Sequence, residues 1–259
     1  MNKSYLFISG APRSGTSAMT TALNTLSNVK IGQEIFPASA KHKDYIPLKK
    51  SLFEGESLKA GVKLRIGGGD VDEEIRRYET SKVIGDKHPN YHRFFETYDD
   101  EFSPCRHVFM FRNLNDVASS FTARLNDPDD SWKLNGYRAV DYWCQGATNF
   151  LNFKRANPDK VLGIQFDEIF CDELGESINR FTALRDTLAE SLDVGEIDSD
   201  AINRVFKKSI RLRSEKKWDS DENVEELFDI YKENRKKIHW DIEKYYKILK
   251  ELSSQKFLF

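Results

Sequence analysis

The sequence predicts an α/β fold built on a parallel sheet. Three observations carry this expectation. Short apolar runs of strand length recur along the chain and alternate with longer segments of helical period. The first run leads directly into a glycine-bounded loop, Gly10-Ala11-Pro12-Arg13-Ser14-Gly15-Thr16-Ser17, and then into a helical pattern. With 259 residues, the chain is long enough for one domain with a substantial core.

Each element follows from a local pattern. Residues 5–9 are short, apolar and of buried-strand length. A helix is expected over about 14–26, with Met19, Leu23 and Leu26 on one face, and Val29-Lys30-Ile31 reads as a short second strand. Residues 32–70 are expected to be loop-rich, with Gly67-Gly68-Gly69 marking a flexible turn. A helix over 71–80 precedes a strand at 82–85, which runs into Asp86-Lys87-His88-Pro89. The run from Arg106 to Phe111 is the clearest central strand and delivers Arg112 to a helix over about 115–124. A long helix is expected over 134–155 and a strand over 161–166. The remainder is mostly helical, broken by a basic segment at 207–217.

Composition narrows the function classes. Hydrophobic residues are 39%, charged residues 32% and the net charge is -2, an ordinary globular balance that gives no electrostatic case for nucleic-acid binding. Any anion site must come from local clustering. The three cysteines, Cys105, Cys144 and Cys171, are widely spaced, so zinc ligation and a disulfide framework are both unsupported and free thiols are expected. No run approaches a membrane span, and the N-terminal apolar run is too short for a secretory signal core. A cytoplasmic location is the default expectation.

The loop from Gly10 to Ser17 has phosphate-cradle spacing. Two glycines allow a tight turn and close approach of backbone N–H groups to an anion, and the following helix adds its positive end. Arg13 adds fixed charge; Thr16 and Ser17 add hydroxyls. The lysine of an ATP- or GTP-binding loop is absent, because Thr16 follows the second glycine. The strongest later strand ends in Arg112 where a magnesium site would use an aspartate. Both features favour a ligand gripped by cationic side chains. A second anion signal lies at Arg112, at the carboxyl end of a strand, with Ser120 two helical turns on. Asn115 or Asp116 is expected to cap that helix.

Together these stretches resemble the sulfotransferase family, whose members use 3′-phosphoadenylyl sulfate (PAPS). Pro12 to Ser17 is similar to the family's 5′-phosphosulfate loop, and Arg112-Asn113 through Asp116 to Ser120 to its 3′-phosphate motif. Asp86-Lys87-His88-Pro89-Asn90-Tyr91 and Ile164-Gln165-Phe166-Asp167-Glu168-Ile169 resemble two weaker flanking signatures. The resemblance spans residues 5 to about 170. It implies a single-domain, three-layer, P-loop-like α/β fold over residues 1–259, with a central parallel sheet and a largely helical C-terminal part.

The resemblance also implies a chemistry. A sulfuryl group passes from PAPS to a hydroxyl or amine of a small-molecule, carbohydrate or lipid acceptor, in line and without a metal. Pro12, Arg13, Ser14, Gly15, Thr16, Ser17, Arg112 and Ser120 would bind the donor, with Arg211 of the basic segment reaching the 3′-phosphate. Arg13 and Lys87 would stabilise charge during transfer. Glu34, placed like the base of bacterial and heparan-type members, is preferred as general base, and His88 is the second candidate. The chain departs from the pattern in two places. Ala18 stands where cytosolic members stack a tryptophan on adenine, and the basic segment lacks the Arg-Lys-Gly core. Residues 35–80 and 125–140 are expected to wall the acceptor pocket. Phe36, Tyr45, Phe53, Trp132 and Tyr137 would give aromatic surface there, and Lys41, His42, Lys43, Arg65, Arg76 and Arg77 charge. A P-loop kinase or NTPase, and a non-catalytic nucleotide-binding protein on the same fold, are the competing readings.

Overall fold

Strands β1 (Ser4–Gly10), β2 (Val29–Gln33), β3 (Val83–Lys87), β4 (Cys105–Phe111) and β5 (Val161–Gln165) form one sheet in the order β2-β3-β1-β4-β5. Every pairing is parallel. The computed structural model describes residues 3–36, 47–66, 69–215 and 223–254.

Strand alternation sorts the core into layers, because successive side chains point to opposite faces. Leu6 and Ile8 of β1, with Val108 and Met110 of β4, meet the helices of one face: α1 (Thr16–Leu23), and then α8 (Leu174–Ala189) and α9 (Ser199–Glu215) after the short α7 (Phe166–Ile169). Tyr5, Phe7 and Cys105 point the other way, into an aromatic cluster with Phe53, Tyr78, Tyr91, Tyr98 and Phe102. Tyr78 lies on α3 (Val71–Thr80) and Tyr98 on α4 (Phe95–Glu101), and α2 (Gly55–Ile66) adds Leu58 and Val62 to the same cluster. Beyond that cluster, Phe109 and Phe111 pack on α5 (Leu114–Asn126), α6 (Arg138–Ala156), α10 (Val224–Asn234) and α11 (Ile242–Ser254). With β1 buried on both faces, each large apolar side chain contributes about 1.5–3 kcal/mol.

The expected three-layer α/β architecture is therefore present. All five strands form, each bound within two residues of the expected one. The helix over 71–80 has the expected limits. Helix α1 is shorter than expected, because Ser14 and Gly15 belong to the loop and residues after Leu23 turn towards β2. The segment expected to be loop-rich contains α2, whose Leu58 and Val62 are buried one turn apart. Gly67 and Gly68 lie outside the described residues. The described part of the basic segment continues α9 up to Glu215 and breaks no helix. All three cysteines are free; Cys105 and Cys144 are buried and Cys171 is half-buried.

Because all strands are parallel, their carboxyl ends share one edge. Gly10, Gln33, Lys87, Phe111 and Gln165 stand there. The chain leaves β1 outward to β2, returns through β3, and crosses to β4 on the other side of β1. Open α/β sheets bind ligands at such a switch point.

Candidate active site

The glycine loop leaves β1 at this edge. Gly15 has φ +88, and a Cβ there would lie 2.1 Å from a Phe166 ring carbon, so only glycine fits. Arg13 holds the same left-handed region without being glycine, at φ 74. Ser14 is buried and closes the turn, its hydroxyl donating to the Ala11 carbonyl at 2.6 Å. Ser14 thus shapes the loop from within. Gly15 caps α1 with no side-chain hydrogen bond, which leaves the first-turn N–H groups to an anion.

One cavity of about 570 Å³ opens over this loop. Arg13, Gly15, Thr16 and Ser17 form its floor; Arg112 and Ser120 form one wall. Gln33 reaches it from the end of β2, and Phe166 and Phe170 line it from α7 and its C-terminal end. Arg204, Lys208, Ser209 and Leu212 approach from α9, spaced so that they share a helical face. Pro12 and Ser14 are not among the lining residues.

The two motifs meet directly. The Arg13 Nε donates to Ser120 Oγ at 2.8 Å, so the serine hydroxyl keeps its own proton to donate. Arg112 is fixed by the Trp143 indole N–H donating to its carbonyl at 2.8 Å, and its guanidinium lies 5.1 Å from the centre of the Phe166 ring. Its Nε is buried without a hydrogen-bond partner, 3.5 Å from an Asp116 carboxylate oxygen. Asp116 thus pairs with Arg112, and the helix cap is Asn113, with no side-chain hydrogen bond. Burial, reinforced by Arg124 and Arg112, holds the Arg13 pKa below its usual value, and Asp130 opposes the effect. Clustered guanidiniums of this kind favour a bound anion.

A second group stands at the ends of β2 and β3. The Lys87 ammonium, 3% exposed, donates to Glu34 Oε1 at 2.8 Å. Glu34 also has a left-handed backbone, φ 62, and its N–H donates to the Lys87 carbonyl at 2.9 Å. Arg13 and Glu34 are the two non-glycine residues with positive φ among the described residues. Such conformations cost about 1–3 kcal/mol each and gather at functional sites. Burial alone would raise the Glu34 pKa, but Lys87, with smaller contributions from His88 and Arg65, holds it below the ordinary carboxylate value. Burial pushes His88 down to about 4. Its Nδ1 accepts the Asn90 N–H at 3.1 Å and so caps the 3-10 turn at Pro89–Phe94.

Several expected positions lie elsewhere. Arg211 is exposed on α9 and is not among the residues lining the cavity, where Arg204 and Lys208 stand instead. Phe36 and Phe53 are core residues in edge-to-face contact, not pocket surface. Trp132 and Tyr137 pack against the core beside α5 and α6. Arg76 and Arg77 pair with Glu73 and Glu74. Lys41, His42, Lys43 and Tyr45 lie outside the described residues. Sequence reasoning missed Arg204, Lys208, Phe166 and Phe170 as cavity residues. The i, i+4, i+8 spacing of Arg204, Lys208 and Leu212 is the signal that marks the α9 face.

The fold and site define an α/β protein with a cationic ligand cleft at the carboxyl edge of a parallel sheet. A profile of the sulfotransferase family matches residues 6–179, and the chain belongs to that family. Among solved structures, the chain is similar to the sulfotransferase domain of the Synechococcus PCC 7002 olefin synthase, at 16% identity and TM-score 0.54, covering 98% of this chain and 96% of that one. It also matches a mouse sulfotransferase complexed with PAP, at 13% identity and TM-score 0.46, over 97% of this chain and 82% of that one. A sulfotransferase from Mycobacterium tuberculosis H37Rv matches at 14% identity and TM-score 0.48, over 89% and 77%. No curated protein matches the sequence.

Proposed function

We propose that the chain transfers a sulfuryl group from PAPS to a hydroxyl or amine of a small-molecule, carbohydrate or lipid acceptor. The carrying observation is the charge of the cleft. Among the described residues its lining holds four cations, Arg13, Arg112, Arg204 and Lys208, and no carboxylate. A magnesium nucleotide needs an acidic ligand for the metal; an adenosine bisphosphate with a phosphosulfate needs only donors and fixed positive charge. The buried Arg112 Nε makes no hydrogen bond, only the longer ion pair with Asp116, which suits a guanidinium that engages an anion.

Arg112 and Ser120 would hold the 3′-phosphate, with Arg204 and Lys208 approaching from α9. The first-turn N–H groups of α1, Thr16 and Ser17 would hold the 5′ side. Phe166 and Phe170, stacked at 4.9 Å, offer the aromatic surface for adenine that Ala18 does not supply. When bound, PAPS supplies a sulfuryl group on a phosphate leaving group. Arg13 would stabilise charge on the leaving oxygen, and its hydrogen bond to Ser120 supports that role by orienting the guanidinium in advance.

Glu34 is the better base. It stays ionised at neutral pH, and Lys87 engages only its Oε1, leaving Oε2 for an acceptor proton. Neutral His88 takes a backbone N–H on Nδ1, so its proton sits on Nε2, which makes that nitrogen a donor. The test is a screen of sugar, phenol, sterol and peptide acceptors with radiolabelled PAPS. Labelled product that disappears in Arg13→Ala is expected. Absence of both product and released adenosine 3′,5′-bisphosphate across the panel refutes the proposal.

A further inference from the structure

Glu34 sits in a strained conformation at the end of an edge strand, and something must hold it there. Three contacts do so. Two were given above: its N–H on the Lys87 carbonyl and its carboxylate on the Lys87 ammonium. The third comes from Asp86, a side chain with 0% exposure. The Asp86 Oδ1 accepts the N–H of Ile35, the residue after Glu34, at 3.3 Å. Its Oδ2 accepts the Tyr91 hydroxyl at 2.6 Å.

The surroundings are built to admit this carboxylate. Gly32 stands opposite Asp86 in the β2–β3 register, and a Cβ there would meet Asp86 Oδ1 at 2.7 Å and the Tyr78 hydroxyl at 2.5 Å. Tyr78 spends its own proton on the Gly85 carbonyl. The charged and titratable groups facing Asp86 are Lys87 on its own strand, Tyr91 on the 3-10 turn, Tyr78 on α3 and Tyr98 on α4. Burial keeps the Tyr78 and Tyr98 phenols neutral, and the Tyr91 hydroxyl donates its proton to Asp86, so Lys87 is the one cation of the set.

We propose that Asp86 is the positioning residue of the Glu34 base: clamped by Tyr91, its carboxylate pins the Ile35 N–H and fixes the left-handed turn that places Glu34 against Lys87. Asp86 acts through Glu34 and touches no reacting atom. The proposal rests on Glu34 being the base of the proposed transfer, but its geometric content does not.

A pH dependence follows. Burial raises the Asp86 pKa to about 6, against hydrogen bonds from Tyr91, Ile35 and Lys87 and the Lys87 charge. As pH falls through that value the carboxylate gains a proton, becomes a poorer acceptor and loosens the turn. Glu34, held low by Lys87, is still ionised in that range.

The experiment reads Glu34 and Ile35 directly in the ligand-free protein. NMR follows the Glu34 carboxyl titration and the Ile35 amide exchange in wild type, Asp86→Ala and Asp86→Asn. In Asp86→Ala the Ile35 amide should exchange at least tenfold faster and the Glu34 titration should move up towards the ordinary range. Asp86→Asn keeps an acceptor oxygen and should restore both. Wild type should lose Ile35 protection as pH falls through about 6, and Asp86→Asn should not. Unchanged exchange and titration in Asp86→Ala overturn the proposal. If that variant does not fold, equal pH dependence in wild type and Asp86→Asn overturns it. These readouts use no PAPS, so failure of sulfuryl transfer is a separate result.

Discussion

Replacing Glu34 by glutamine separates chemistry from binding. Glutamine keeps an oxygen for the Lys87 ammonium at the position now 2.8 Å away, but has no site for a proton. Losing a general base lowers kcat by about 10²–10⁴, or about 2.7–5.5 kcal/mol of barrier. The cost in stability is smaller. Breaking a fully buried ion pair costs about 3–5 kcal/mol, but the glutamine retains the hydrogen bond and the Glu34 side chain is 33% exposed. About 1–2 kcal/mol is expected, equal to a Tm lowered by roughly 2–8 °C in a chain of this length. Arg112, Ser120 and the glycine loop are untouched, so adenosine 3′,5′-bisphosphate should bind within about twofold of wild type. Single-turnover sulfation by Glu34→Gln, followed with calorimetric binding of the bisphosphate, measures both quantities. A kcat within about threefold of wild type would falsify the assignment of Glu34 as the base.

Three further outcomes follow from the geometry. Gly15→Ala adds a Cβ 2.1 Å from the Phe166 ring at φ +88; strain and overpacking together should cost about 2–5 kcal/mol, read from urea midpoints, and abolish bisphosphate binding. Arg204→Ala and Lys208→Ala should each weaken the bisphosphate by about tenfold, whereas Arg211→Ala should change it less than twofold; equal losses would sink the placement of α9. His88, His92 and His107 have pKa values lowered by burial to about 4, 3 and 3. An unfolded chain protonates them near 6.5, so it binds more protons below that pH and stability falls as pH drops through 6.5 towards 4. Asp86, raised to about 6, works in the opposite direction and offsets part of the loss. His107→Leu, inside the cage of Phe7, Phe95 and Phe153, should flatten the acid limb of urea midpoints; an unchanged limb contradicts burial as its cause.

The sheet was legible because its strands are apolar runs of strand length bounded by turn residues, and a strand buried on both faces has little other composition available. The anion loop was legible because Gly15 must be glycine and its spacing survives in sequence. Helix α2 was not, since residues 32–70 read as loop-rich up to the Gly67-Gly68-Gly69 turn; the helix is held by burial of Leu58 and Val62 and by Gly61, where a Cβ would meet the Phe36 ring and the Ile35 carbonyl. The left-handed backbones of Arg13 and Glu34 leave no mark, because neither residue type signals positive φ. Asp86 read as the start of a lysine segment; its role depends on Tyr91 and on Ile35, the latter 51 residues away in sequence. Arg204 lies upstream of the basic segment at 207–217, and within that segment sequence alone does not separate Lys208 from Arg211, because only the packing of α9 decides which face meets the cleft.

The central claim is that this cleft is built for an adenosine bisphosphate carrying a phosphosulfate. Thermal stabilisation tests it most directly, because a ligand at 100 times its Kd adds about 2.7 kcal/mol to the folded state. Adenosine 3′,5′-bisphosphate should raise the Tm of wild type, Mg-ATP should not, and Arg112→Ala should lose the effect. Stabilisation by Mg-ATP alone, undiminished in Arg112→Ala, would contradict the account.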